Sequence, residues 1–505
     1  MADFKSTIDH AFAFQGDSIL IGTAMLNKEA VVNTHVKWPL NMVSRHGLIA
    51  GATGTGKTKT IQHLAESLSE KGVSVLVMDI KGDLSGVAKP GTDNPKIAER
   101  VAKIGIEWKP KQYPVELMSI SGEKGLRLRA TVSEFGPLLL SKILELNDNQ
   151  QGAVTIVFKF CDDHQMPLLD IKDFREVLRY VTSEGKEHIK EYGSISPATA
   201  GVIMRKLLEL EQQGGSQFFG EKSFEVNDLL RKDSNGHGYI NIIRLCDIQD
   251  KPKLFSTFML CLLAEIYKTF PEMGDKAAPK IAIFIDEAHL IFNDATDALM
   301  DQLEQVIRLI RSKGVGIYFC TQVPGDIPES VLSQLGSKFQ HAMRAFTAKD
   351  RKDIKLVAQN YPETEFYKTE SLITEMGIGE AMISVLNEKG IPAPLVHTLL
   401  APPFTRMDIL TPEEQNEIVN NSSIARSYNE VIDRSSAYEM LTKKIQGESA
   451  PSIEESKKEK SSTKEEEGFD ISGRIAAVSK NPVVKQVARE LTRGLMGMLF
   501  GTKRR

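Results

Sequence analysis

Gly51-Ala52-Thr53-Gly54-Thr55-Gly56-Lys57-Thr58 decides the reading of this chain. An apolar run ending at Ala50 delivers the backbone to three glycines, which tolerate the angles needed to turn successive N–H groups toward one anion. Polyphosphate is the anion that fits such a cradle. Lys57 adds a point charge for the β- and γ-phosphates and Thr58 offers a hydroxyl to Mg2+. A helix expected over Thr58 to Ser69 aims its positive end at the same place. At ordinary residue frequencies the pattern arises by accident in roughly one or two chains per hundred of this length, so a plain glycine-rich turn is a weak competitor.

Working outward, Ile281-Ala-Ile-Phe-Ile-Asp286-Glu287 reads as a strand buried on both faces that ends abruptly in two acids. Asp286 would hold Mg2+ through water, and Glu287 would orient and deprotonate a water attacking the γ-phosphate. A third strand, Val315 to Cys320, ends in Thr321-Gln322. Gln322 either senses the γ-phosphate or bonds a turn. In the helix before that strand, expected over about 296 to 312, Arg308 and Arg311 lie one turn apart on one face. They form either a solvated basic face or a finger supplied to a neighbour's nucleotide. No N-K-x-D guanine-reading motif follows, so ATP is preferred to GTP. The acid pair suits an attacking water, so hydrolysis is preferred to phosphoryl transfer onto a second substrate.

The 505 residues suffice for two or three domains, and 41% hydrophobic with 26% charged residues describes a soluble mixed fold. A formal net charge of −4 supplies no overall positive field for nucleic acid, so binding of that kind needs a local patch. Cys161, Cys246, Cys261 and Cys320 make no C-x-x-C pair, which argues against a zinc ribbon and a disulfide framework. Among the ten histidines, His46, His237, His289 and His341 have no mutual ligand spacing and read as structural. Neither a signal segment nor about 18 consecutive apolar residues occurs, so a cytoplasmic location is expected.

The pattern divides the chain into a short β-rich lead-in (1–40), a first ATPase core segment (41–135), a helical insertion (136–275), a second core segment (276–410) and a helical extension (411–445). A Lys- and Glu-rich linker expected to be disordered (446–470) and a basic amphipathic tail (471–505) follow. Strand-helix-strand alternation on either side of the insertion implies an α/β fold, a mostly parallel sheet flanked by helices.

Five blocks together resemble one family: Arg45-His-Gly-Leu-Ile-Ala-Gly-Ala-Thr-Gly-Thr-Gly-Lys-Thr, Asp79-Ile-Lys-Gly-Asp-Leu-Ser-Gly86, Asp286-Glu-Ala-His-Leu, Arg308-Leu-Ile-Arg-Ser-Lys-Gly and Gln340-His-Ala-Met-Arg-Ala-Phe. They resemble the HerA/FtsK superfamily, specifically the YjgR-type HerA-like proteins, from about residue 17 to about 405. The resemblance implies a RecA-like P-loop ATPase core assembled as a homo-hexameric ring. It selects Arg311 as the finger, with Arg344 second, and matches Gln322 to the superfamily's γ-phosphate sensor. HerA has a sizeable N-terminal β-barrel where only 50 residues precede Gly51 here, so a partner nuclease is not carried over.

Two functions follow from these readings. One is an ATP-driven ring that translocates or unwinds DNA; the other is a ring ATPase acting on protein partners without nucleic acid. The tail from Pro482 to Phe500 spaces apolar residues at helical intervals among basic ones. It suits peripheral docking on a subunit or other protein, lipid or DNA, with protein docking favoured.

Overall fold

A computed structural model describes residues 2–445 apart from 249, 275–277, 293–296, 431, 433 and 434, so the expected linker and basic tail lie outside the described residues. The chain divides into two compact units. One holds residues 1–128 and 224–430; the other holds 129–223 and the described residues beyond 431.

The first unit is built on one sheet. In chain order its strands are β1 (Ser18–Leu26), β2 (Glu29–Pro39), β3 (Gly47–Ala50), β4 (Ser74–Asp79), β5 (Val115–Ser119), β6 (Leu126–Arg127), β7 (Ile240–Arg244), β8 (Ile281–Ile285), β9 (Val315–Thr321), β10 (Ser337–Gln340), β11 (Glu380–Ser384) and β12 (Val396–Leu400). Their spatial order is β2-β1-β12-β11-β10-β3-β9-β8-β4-β7-β5-β6. From β10 to β6 every neighbouring pair is parallel. From β10 back to β2 every pair is antiparallel. Every residue of β3, β4, β8 and β9 is buried, as parallel strands covered on both faces require. This is a P-loop ATPase fold.

Two expectations are corrected by this sheet. The lead-in is no separate appendage, because the β1–β2 hairpin joins the main sheet through β12. A helix, Ala2–Ala11, precedes it and buries Phe4 and Ile8, with Phe12 just beyond its end, a four-residue spacing that was open to reading. The stretch 136–275 is not all helical. Ile240–Arg244 is a strand between β4 and β5, its buried Asn241 donating through Nδ2 to Val75 O and Leu229 O, both at 3.0 Å. Five residues, of which three are apolar, are too few for periodicity to separate strand from helix.

The second unit is helical. Asn147 and Asp170 close capping boxes at the starts of Asp148–Asp163 and Ile171–Thr182. Helix Ala437–Ile445 docks on this unit through its first turn, where Ala437 N donates to Pro167 O at 3.0 Å and Tyr438 N to Asp173 Oδ1 at 3.0 Å. Among the described residues no helix is long and apolar enough to cross a membrane.

Candidate active site

Register brings the site together. Ala50 pairs with Thr321, Phe319 with Ile285, and Ile285 with Met78. The glycine loop after β3, Gln322 after β9, Asp286 after β8 and Asp79 at the end of β4 therefore share one edge of the sheet. That edge is the carboxyl end of the parallel strands, where open α/β sheets bind ligands.

The loop is held by its surroundings as much as by its own angles. Gly51, Gly54 and Gly56 have φ of 149°, 77° and 108°. A Cβ on Gly51 would lie 2.5 Å from the Cβ of His341. Ala52 N donates to Ala342 O at 2.8 Å, and His341 N donates to Ala50 O at 2.7 Å. Strand β10 therefore stops at Gln340, because the chain beyond it turns in to grip the loop. Inside that grip His341 is fully buried. Its Nδ1 donates to Thr55 O at 3.2 Å, and its Nε2 accepts from Thr60 Oγ1 at 3.1 Å. Burial, with Lys57 nearby, pulls its pKa down to about 4, so the ring is neutral. His341 is structural, as read.

Lys57 opens the helix Lys57–Glu70, and its Nζ donates to Gly51 O at 2.6 Å and Ala52 O at 3.1 Å, arching over the loop. Burial holds its ammonium below the ordinary lysine range. Thr53 and Gly54 are exposed at the crest, while Thr55 is buried and bonds Ala52 O at 2.7 Å. Thr58 Oγ1 donates to Asp83 Oδ2 at 3.2 Å.

The acid pair is buried, Asp286 at 2% exposure and Glu287 at 8%. Burial raises the Asp286 pKa and Lys81 opposes the rise. Asp286 Oδ2, Glu287 Oε2 and Asp83 Oδ1 are buried without a hydrogen-bond partner among the described residues. Uncompensated carboxylate oxygens of this kind cost free energy, and the Asp286 carboxylate and the Thr58 hydroxyl are oxygen donors of the type a hard divalent cation takes. Among the described residues no three His, Cys, Asp or Glu side chains make a metal site by themselves, so such a cation would share its shell with phosphate oxygens and water. Glu287 carries φ of 46°, a left-handed value that costs a non-glycine residue about 1–3 kcal/mol and that clusters at functional sites.

The remaining candidates divide between the two ends of the parallel strands. Gln322 is exposed at the tip of β9. Arg311 begins the turn Arg311–Lys313 that precedes β9, and it is exposed at the amino end of the parallel strands, opposite the loop. With Arg45 and Arg308 it lines a groove there. Arg344 follows β10 on the loop's edge, where its guanidinium donates to Thr374 O at 2.8 Å and Met376 O at 3.4 Å. Sequence reasoning passed over Lys81, whose Nζ forms an ion pair with Glu287 Oε1, and left Asp83 out of the site. Both belong to the Asp79-Ile-Lys-Gly-Asp block, whose position beside the acid pair depends on β4 pairing with β8.

The structure resembles the bacterial conjugative coupling protein TrwB lacking its first 70 residues, with a TM-score of 0.51 and 13% identity over 80% of this chain and 95% of that one. TrwB solved in complex with ADP and Mg2+ gives a TM-score of 0.51 at 15% identity, covering 79% and 98%. In sequence, the DNA double-strand break repair helicase HerA of Sulfolobus acidocaldarius is 23% identical over 382 residues, 72% of this chain and 66% of that protein. The HerA of Saccharolobus solfataricus is 25% identical over 374 residues, 70% and 64% respectively. The chain thus spans about two thirds of the length of these relatives. The family described as Helicase HerA-like C-terminal matches residues 24–505, and the chain belongs to that family.

Proposed function

We propose that this chain is a Mg2+-dependent ATP hydrolase that works as a homo-hexameric ring and moves along or unwinds DNA in the cytoplasm. One observation carries the reading. The glycine cradle with Lys57 and the buried Asp286-Glu287 pair, with its unpartnered oxygens, meet on one sheet edge.

Gly51, Ala52, Thr53, Gly54, Thr55 and Gly56 offer backbone to the phosphates, and Lys57 adds its charge. Thr58 and Asp286 would hold Mg2+, which supplies charge neutralisation to the phosphate oxygens when bound. Glu287 accepts a proton from the attacking water, and Gln322, exposed at the next strand tip, reads the γ-phosphate. Arg311 faces away from its own loop, so it serves a neighbour's site. Arg344, already engaged by two carbonyls, is the second choice. DNA as the track rests on family membership and on the helicase relatives. The YjgR-type subdivision rests on the five sequence blocks. Assignment of a nuclease partner, or of a docking role for the tail, has no support in the described residues.

ATP turnover measured with and without duplex DNA across a salt series tests the proposal. The expected result is stimulation by DNA whose apparent affinity falls linearly in log–log form as salt rises. A rate indifferent to DNA, with no salt-dependent binding, would leave a ring ATPase acting on proteins.

A further inference from the structure

The block Asp79-Ile80-Lys81-Gly82-Asp83 leaves β4 beside β8, and the function proposed above makes no use of its lysine. The loop is firmly built. The buried Asp79 carboxylate accepts from Gly82 N at 2.8 Å and Leu84 N at 3.2 Å. Gly82 has φ of 76°, and a Cβ there would sit 2.9 Å from Cys246 Sγ. Asp83 is tied to the Thr58 hydroxyl at 3.2 Å. Between these anchors Lys81 reaches across to Glu287 and pairs with Oε1.

The other oxygen is treated differently. Glu287 Oε2 is buried and accepts no hydrogen bond, with His289 Nδ1 approaching only to 3.4 Å. The Glu287 backbone is already held at a left-handed φ. One carboxylate oxygen is clamped and its partner is presented. The Lys81 side chain is 36% exposed and that of Glu287 10%, so the lysine reaches the buried carboxylate from the solvent side.

We propose that Lys81 is a positioning residue for Glu287: by clamping Oε1 it fixes the carboxylate plane and presents Oε2 to the attacking water. This rests on the hydrolase reading. In the step it serves, the water's O–H bond breaks and its proton passes to Oε2. The water oxygen bonds to the γ-phosphorus, and the bond from that phosphorus to the bridging oxygen breaks, releasing ADP and phosphate. The titratable groups acting on the pair are Asp286, Lys57, Cys320 and His289.

The test uses the full chain. Lys81→Met should lower kcat about 10- to 100-fold, part of the roughly 10²–10⁴ that a placed base supplies. The KM for ATP and the affinity for a fluorescent ATP analogue should stay within about twofold, as loss of a purely transition-state interaction requires. Lys81→Arg should recover most of the rate. Added to Glu287→Gln, the same change should do nothing further, because the lysine acts only through that carboxylate. An unchanged or raised kcat in Lys81→Met, a loss confined to KM, or an additive loss in the double variant would each overturn the proposal. Lys81→Gln, read alongside by its melting midpoint, separates misfolding from mispositioning. Full turnover in Glu287→Gln would instead remove the hydrolase reading of Glu287 itself.

Discussion

The two ends of the parallel strands are built on opposite principles. At the carboxyl end, Lys57, Asp79, Asp286 and Glu287 are all buried, and the glycine loop has backbone angles that few other residues adopt. At the amino end, Arg308 and Arg311 stand exposed along a groove, and the turn into β9 closes on Gly314, with φ of 75°. One end withdraws charge from water and leaves carboxylate oxygens wanting a partner; the other offers charge outward. Within one chain the two ends lie at opposite edges of the same parallel strands.

Each end is also pinned by a neutral histidine. His341 grips the loop as described. His46, before β3, donates through Nε2 to Ile307 O at 2.9 Å and accepts from Ile317 N at 3.0 Å through Nδ1, tying the arginine-bearing helix to β9. Burial pulls its pKa to about 4 as well. The same device holds both ends rigid while their charged side chains differ.

The sharpest way to break the comparison is at Arg311. Arg311→Ala should cut kcat by about 10³-fold or more while leaving ATP binding intact, as removal of a finger supplied in trans does. Mixing those subunits with Lys57→Ala subunits should restore part of the activity, because some shared sites then hold one intact half from each. No recovery at any mixing ratio would mean that the two ends do not cooperate between chains. Glu287→Gln comes next, with an expected loss of about 10²–10⁴-fold in turnover and retained ATP on a binding assay. Loss of binding instead would assign this glutamate to holding nucleotide.

The smallest effect is on stability. In the unfolded chain both histidines titrate near 6.5, and in the fold near 4. Between those values the unfolded state holds more protons, so stability falls as pH drops through that window. By about pH 5 each histidine should have cost roughly 2 kcal/mol. The urea midpoint should move down accordingly, and His46→Asn should flatten about half of the slope. An unchanged midpoint between pH 7.5 and about pH 5 would show that these rings are not buried neutral groups.

What could be read in advance followed contiguous apolar runs and fixed spacings. β3, β4, β8 and β9 announced themselves because strands covered on both faces must be apolar throughout. The glycine loop was legible because its backbone conformation demands particular residues. Ile240–Arg244 was hidden by its shortness and its buried asparagine, and the end of β10 by an inward turn made only to hold the loop. Lys81 was invisible for another reason: it lies far from Glu287 in sequence, and nothing local says that β4 and β8 are neighbours.

By itself the sequence determined a phosphate cradle, an acid pair at a strand end and a mixed α/β core, because each is a local demand on residue type. Only the tertiary structure decided which strand tips adjoin, which oxygens of those acids are clamped or left open, and that Arg311 stands at the end of the strands opposite its own loop. Strand order and side-chain direction come from long-range pairing, and no local pattern encodes them.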